Sequence, residues 1–376
     1  MEEHHRQGQD HDAVTGTMKI AAATIEPCTQ ALADPQWKFA RAQVPHLEGW
    51  VLRLADDDGH QGLGYCHAIP AISTDGAGAR AGLGFLAPRL VGRAVDDLAG
   101  TMEEIDAVLA YQPTAKAAID MALHDLLARR LGVPVHVLLG GKLRDSVRLS
   151  RILSIKAPEE MGAIAGRLAA EGYTQLKLKL SGDGDADVQR IAAVRSAVGD
   201  GVALTLDPNQ SYNAKQLIAA FRRMERYDIA LIEQPVPAAD FAGLALLTRT
   251  LPVAIEADES AQSVRDVFRL VSERAVDVIN LKVTNLGGIR RFLQAVRICE
   301  AGEVGCRVGA AFGPALLQAM ALQAASVIRR LPYACELSEH LHLQDDPFTP
   351  LPMQDGQLRL PPGPGCGVTY KNQGIR

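Results

Sequence analysis

The stretch "QLKLKL" at 175–180 puts Lys177 and Lys179 on one face of a strand and Leu176, Leu178 and Leu180 on the other. Two lysines side by side suit an edge strand wetted by solvent, or a site in which one ammonium labilises the proton of the next. Similar runs downstream end in single charged residues: Asp207 in "ALTLDPN", Glu233 in "IALIEQP", Glu256 and Asp258 in "VAIEADE", and Lys282 in "VDVINLKV". A lone acid at a strand end is most often a helix N-cap. Charged residues in register on five successive strands instead make a site. Three acids converging there, Asp207, Glu233 and Asp258, would repel one another, and without a cation at least one would hold a proton. Oxygen donors without His or Cys favour a hard dication, Mg2+ first, which keeps positions open for a substrate. A lysine at its ordinary pKa of about 10.4 is a poor base at neutral pH. Burial and a neighbouring ammonium both lower that value, and Lys177 stands where it would do so for Lys179. A pKa of about 7–8 would suit a general base.

The elements that carry these residues repeat. Eight β-like runs, at 147–154, 175–180, 203–209, 229–235, 253–259, 276–283, 305–312 and 333–338, alternate with helical patterns such as "NAKQLIAAFRRMERY". Strand–helix alternation predicts a parallel sheet with right-handed crossovers. Eight units in about 200 residues predict an α/β fold of (β/α)8, TIM-like type, with its active site at the C-terminal strand ends. An open doubly wound sheet would bring a Gly-rich phosphate turn, and "GAGARAG" fails the GxGxxG spacing. Upstream, "MKIAAATIEPCTQAL" and "EGWVLRLADDDGHQGLGYCHAI" read as antiparallel strands, the second turning at Asp57-Asp58-Gly59. The expected organisation is a disordered tail (1–17, with His4, His5 and His11 solvated), an α+β capping domain (18–130), the barrel (131–340) and a C-terminal segment (341–376) completing the cap.

With 376 residues, 47% of them hydrophobic, the chain can bury a large domain and a smaller one. A net charge of −5 gives no basic footprint for nucleic acid, and no apolar run has the ~20 residues of a membrane helix. Six cysteines without a CxxC or close pairing predict a reduced, cytoplasmic compartment.

Taken together, "KLKL", "LDPNQSY", "IEQP", "EADES" and "NLKVTNLGGI", with "AIDMALHDLLARRLGVPVHVLLGG" at the barrel entry, resemble the enolase superfamily in its muconate lactonizing enzyme subgroup, over roughly residues 18–370. The resemblance implies metal ligands Asp207, Glu233 and Asp258 for Mg2+, with Mn2+ as a substitute. It implies Lys179 and Lys282 as acid/base groups on opposite faces of the substrate, and Lys177 as their electrostatic helper. Asn209 and Gln234 match positions that support the ligands from behind, and Glu259 the residue after the third ligand. A small carboxylate with an α-hydrogen is the implied substrate, with homo-oligomeric assembly. Proton return to the other face would make an isomerase, either a racemase or epimerase of an amino-acid derivative, or a muconate-type cycloisomerase. Loss of a β-hydroxyl would make a lyase instead. Where dipeptide epimerases carry DxD at the eighth strand end, this chain has Glu336-x-Ser338, with His340 and His342 beyond as packing residues. Glu336, Ser338 and Trp37, in the stretch 33–45, are the expected substrate contacts.

Overall fold

Seven short parallel strands run in sequence order around a barrel: Ser150–Leu153, Gln175–Lys179, Ala203–Asp207, Ile229–Glu233, Ala254–Ala257, Val278–Lys282 and Gly305–Gly309. Cys335 and Glu336 fill the eighth place. The Cys335 amide donates to the Arg148 carbonyl (2.8 Å), Ser150 N to Cys335 O (2.9 Å) and Glu336 N to Val308 O (2.8 Å). The last strand is thereby joined to the first, and the expected barrel is formed. This computed structural model describes residues 18–371. The expected tail at 1–17, with His4, His5 and His11, lies outside the described residues.

Period-2 alternation sorts the barrel side chains. Leu176, Leu178, Leu204, Leu206, Ile232, Ile255, Ile279, Leu281 and Val308 are buried against the helices, while Lys177, Thr205, Glu256 and Arg307 fill the interior. The surrounding helices begin where their sequences direct. Ala214–Met224 starts at a capping box in which Asn213 accepts from Gln216 N while the Gln216 side chain accepts from Asn213 N. One expected strand divides. Of the run 147–154, only Ser150–Leu153 enters the barrel; Ser146–Arg148 pairs antiparallel with Gln357–Arg359 near the C-terminus.

The antiparallel strands Ile20–Pro27, His46–Asp56 and Gln61–Ala68 form the N-terminal sheet. Helix Pro113–Arg130 lies flat on it because Gly62 and Gly64 present no side chain; a Cβ on either would strike the backbone of Ala122 or Ala118. That helix is buried on nearly every side. Its Asp120 accepts from Ile289 N of the barrel (2.6 Å). Its Asp125 accepts from Leu63 N of the sheet (2.9 Å) and from Cys366 N of the C-terminal segment (2.7 Å). The stretch 33–45 folds into a hairpin, Lys38–Phe39 against Ala42–Gln43, that docks on the first barrel strand through Lys38 N to Ser154 Oγ (3.1 Å) and Ile155 N to Lys38 O (3.1 Å). All six cysteines are free and buried, and no helix among the described residues is long and apolar enough to cross a membrane.

Candidate active site

The second and sixth strands of an eight-stranded barrel stand opposite each other, so Lys179 and Lys282 face one another across its mouth. Asp207, Glu233 and Asp258 lie on the strand ends between them, all buried. Lys177 Nζ sits one layer deeper, 2.8 Å from Asp207 Oδ2, 2.7 Å from Glu233 Oε2 and 2.8 Å from Glu336 Oε1. Lys179 Nζ is 2.5 Å from Asp207 Oδ2, and Lys282 pairs with Asp258. Gln234, at a left-handed φ of 34°, clamps the neighbouring strand end: its Oε1 accepts from Asp258 N (2.9 Å) and Ser260 N (3.0 Å), and its Nε2 donates to Ser260 Oγ (2.8 Å). Asn209 N donates to Asp207 Oδ1 (2.9 Å), and Asn209 Nδ2 reaches Glu259 Oε1 at 3.3 Å.

The charges do not balance locally. Asp207, Glu233, Glu256, Asp258, Glu259, Glu336 and Glu339 line the cavity or the layer beneath it, against Lys177, Lys179, Lys282 and Arg307. Burial, with Glu336 beside it, pushes the Glu233 carboxyl up to about 7. Asp258 is also raised by burial, against the pull of Lys282. Asp207 is brought down to about 2, because Lys177 and Lys179 outweigh its burial. The expected depression of a lysine pKa is not what Lys282 shows. Burial disfavours its ammonium, but Asp258 and Glu233 outweigh that penalty and hold its pKa above the ordinary value. Lys177 is likewise raised, by Asp207, Glu233 and Glu336. Among the described residues no three His, Cys, Asp or Glu side chains stand assembled around a common metal position. Asp207, Glu233 and Asp258 each carry a cationic side chain instead. Their donors are all oxygen and sit in a surplus of negative charge, which is the chemistry of a hard dication site.

Residues 20–140 match the family described as mandelate racemase / muconate lactonizing enzyme, N-terminal domain, and residues 160–374 match enolase C-terminal domain-like proteins. The chain belongs to the mandelate racemase/muconate lactonizing enzyme family of the enolase superfamily. It is 34% identical over 300 residues to chloromuconate cycloisomerase CbnB of Cupriavidus necator, covering 78% of this chain and 80% of that one. Its fold is similar to muconate lactonizing enzyme from Pseudomonas fluorescens complexed with muconolactone (TM-score 0.92, 27% identity, 95% and 98% of the two chains). It is similar as well to the dipeptide epimerase from Enterococcus faecalis complexed with Mg and the dipeptide L-Leu-L-Tyr (TM-score 0.90, 28% identity, 94% and 100%). These relatives are cycloisomerases and epimerases, and the isomerase reading of the chain agrees with them; the lyase alternative has less support.

In this family member the strand ends open on a cavity of about 50 Å3, walled on one side by Lys177, Lys179, Asp258, Lys282 and Glu336, and on the other by apolar groups. Trp37 lines this cavity, edge-on to Phe312 with centroids 4.7 Å apart, and Phe39 stacks beneath Lys179 Nζ at 5.7 Å. Glu336 lines the cavity, but Lys177, Arg307 (2.8 Å) and Asn280 (3.2 Å) already occupy it. Ser338 is turned away, its hydroxyl donating to the Ser150 carbonyl (3.2 Å). His342 packs on Trp37 (6.2 Å), and burial pushes its pKa down to about 3 and that of His340 to about 4.

Three side chains escaped the sequence reading. Arg307, fully buried, bridges Glu233, Glu256 (Nε to Oε1, 2.8 Å) and Glu336. Asn280, two residues before Lys282 and so on the same inward face of its strand, donates to Glu233 Oε1 at 3.3 Å. The same alternation in "GCRVG" would have placed Arg307 inside. Glu339 lines the cavity from the 3-10 turn Glu339–His342, and no strand period marks it.

Proposed function

We propose that the protein is a divalent-metal-dependent isomerase that removes the α-proton of a small carboxylate and returns a proton to the opposite face, as a racemase or epimerase. What carries this reading is the placement of Lys179 and Lys282 across one cavity, with three buried acids on the strand ends between them. Asp207, Glu233 and Asp258 would hold Mg2+, with Mn2+ as a substitute. A bound dication would neutralise charge that builds on the substrate carboxylate as the α-carbon loses its proton. Asp207, Glu233 and Asp258 are also the groups that now keep protons on Lys177 and Lys282. If they held a metal they would no longer raise Lys282, whose burial and proximity to Lys177 act in the direction a base requires. One lysine takes the α-proton from its face, and the other, still protonated, delivers from its own. Gln234 and Asn209 keep Asp258 and Asp207 in place. Phe39, Trp37 and Phe312 keep water from the reacting carbon. Cycloisomerisation of a muconate-like diacid is the second reading, favoured by the identity to chloromuconate cycloisomerase.

Proton NMR in D2O with Mg2+ tests both, using a panel of dipeptides, N-acyl amino acids, proline derivatives and muconates. Exchange of the α-hydrogen with inversion is the expected result. Lactone formation from muconate without exchange of any amino-acid derivative would replace the first reading with the second. Release of a β-substituent would overturn the isomerase assignment.

A further inference from the structure

We propose that Arg307 is a positioning residue, held in one orientation by Glu256, that aims the carboxylate of Glu233, so that the divalent-metal affinity of the site depends on this buried pair. This deepens the reading above and rests on it for Glu233 as a metal ligand. Arg307 extends from the seventh strand beneath the strand ends and reaches Glu256 on the fifth and Glu233 on the fourth, all fully buried. Its Nε donates to Glu256 Oε1 (2.8 Å) and its Nη2 to Glu256 Oε2, a two-bond fork that fixes the plane of the guanidinium. Among the described residues the Glu256 carboxylate has no other hydrogen-bond partner. The same Nη2 donates to Glu233 Oε2. Nη1 stands 2.8 Å from Glu336 Oε1, but the two do not line up as a hydrogen bond, so Glu256 rather than Glu336 orients Arg307.

Charge balance does not account for this arrangement. Lys177 already brings Glu233 a cation, with Nζ 2.7 Å from Oε2. Arg307 comes with Glu256, so the two together add no formal charge to the site. Stability does not account for it either, since apolar side chains often replace a buried ion pair at no loss. What the pair adds is direction. Arg307 and Lys177 both hold Oε2 of Glu233, whereas Oε1 has only Asn280 Nδ2 at 3.3 Å. A carboxylate held by one oxygen keeps lone pairs on the other, and Oε1 is the oxygen left to take a further cation.

A double substitution separates direction from charge. Arg307→Met with Glu256→Leu removes one charge of each sign and refills the interior with apolar groups. Calorimetry would measure Mg2+ binding to EDTA-stripped wild type and variants, with denaturant unfolding in EDTA as the control on the fold. The double variant should keep the wild-type unfolding midpoint while its Mg2+ affinity falls about 10–100-fold. Arg307→Lys keeps the charge without the fork, and its affinity should fall about 10-fold. This second variant decides the matter if the double variant does not fold. Mg2+ affinity within about 3-fold of wild type in either folded variant overturns the proposal, because the smallest loss expected of a ligand's outer support is larger. In that case the wild type still binds Mg2+ and the metal reading stands. A wild type that binds no Mg2+ overturns both.

Discussion

Lys179 and Lys282 each command one face of the cavity, and that division has a stereochemical consequence. Replacing either with Ala should lower racemisation by about 10²–10⁴-fold. The remaining lysine should still exchange the α-hydrogen of the one enantiomer it faces, read by NMR in D2O; full turnover in either variant would refute the two-base assignment. Glu339 gives a second prediction at this scale. Burial and the neighbouring Glu336 raise its carboxyl from 4.5 to about 7. An acid with a raised folded pKa stabilises the fold below its unfolded pKa and loses that contribution as pH climbs through the folded value. The window is therefore pH 4.5 to 7, and the effect is on the order of 3 kcal/mol. In metal-free protein, the stability advantage of wild type over Glu339→Gln in denaturant should be larger at pH 4.5 than at pH 7.5. A difference that does not change with pH would contradict the assignment.

At the scale of elements, the site depends on adjacent strand ends being locked together. Gln234 ends the fourth strand and holds the amides of Asp258 and Ser260 beyond the fifth. Gln234→Ala would free the turn that presents Asp258, and metal affinity should fall about 10–100-fold. Mg2+ titration followed by calorimetry measures this, and unchanged affinity would show that the strand end is held by other contacts. The cap works at the same scale. The hairpin at Lys38–Phe39 and Ala42–Gln43 brings Trp37 and Phe39 over the lysines because its backbone bonds to Ser154 and Ile155. Sequence placed Trp37 near the pocket, but the docking surface is made by residues more than a hundred positions away.

For the whole molecule, the barrel gathers more acid than base at one end, and a dication is the economical remedy. Protein stripped with EDTA should gain about 2.7 kcal/mol of unfolding free energy when Mg2+ reaches 100 times its dissociation constant. Thermal unfolding with and without Mg2+ checks this, and an unmoved midpoint would remove the metal from the proposed chemistry. The buried helix Pro113–Arg130 links all parts of this scaffold, since its Asp120 and Asp125 accept from the barrel, the N-terminal sheet and the C-terminal segment.

The amino-acid sequence alone determined the barrel and the placement of Lys177, Lys179, Asp207, Glu233, Asp258 and Lys282. Side-chain period along a strand is local, and closing eight such strands brings their ends to one place whatever the details. It could equally have placed Arg307, whose strand follows the same period. Tertiary structure decided what no local period encodes. The eighth strand is completed by Cys335–Glu336 through backbone pairs to both neighbours. Glu336 pairs with Lys177 and Arg307, Ser338 bonds to Ser150, and Glu339 lines the cavity without a hydrogen-bond partner among the described residues. It also decided the direction of the Lys282 pKa, which is a sum over charges from several strands in which Asp258 and Glu233 outweigh the burial and the neighbouring ammonium that sequence alone suggests.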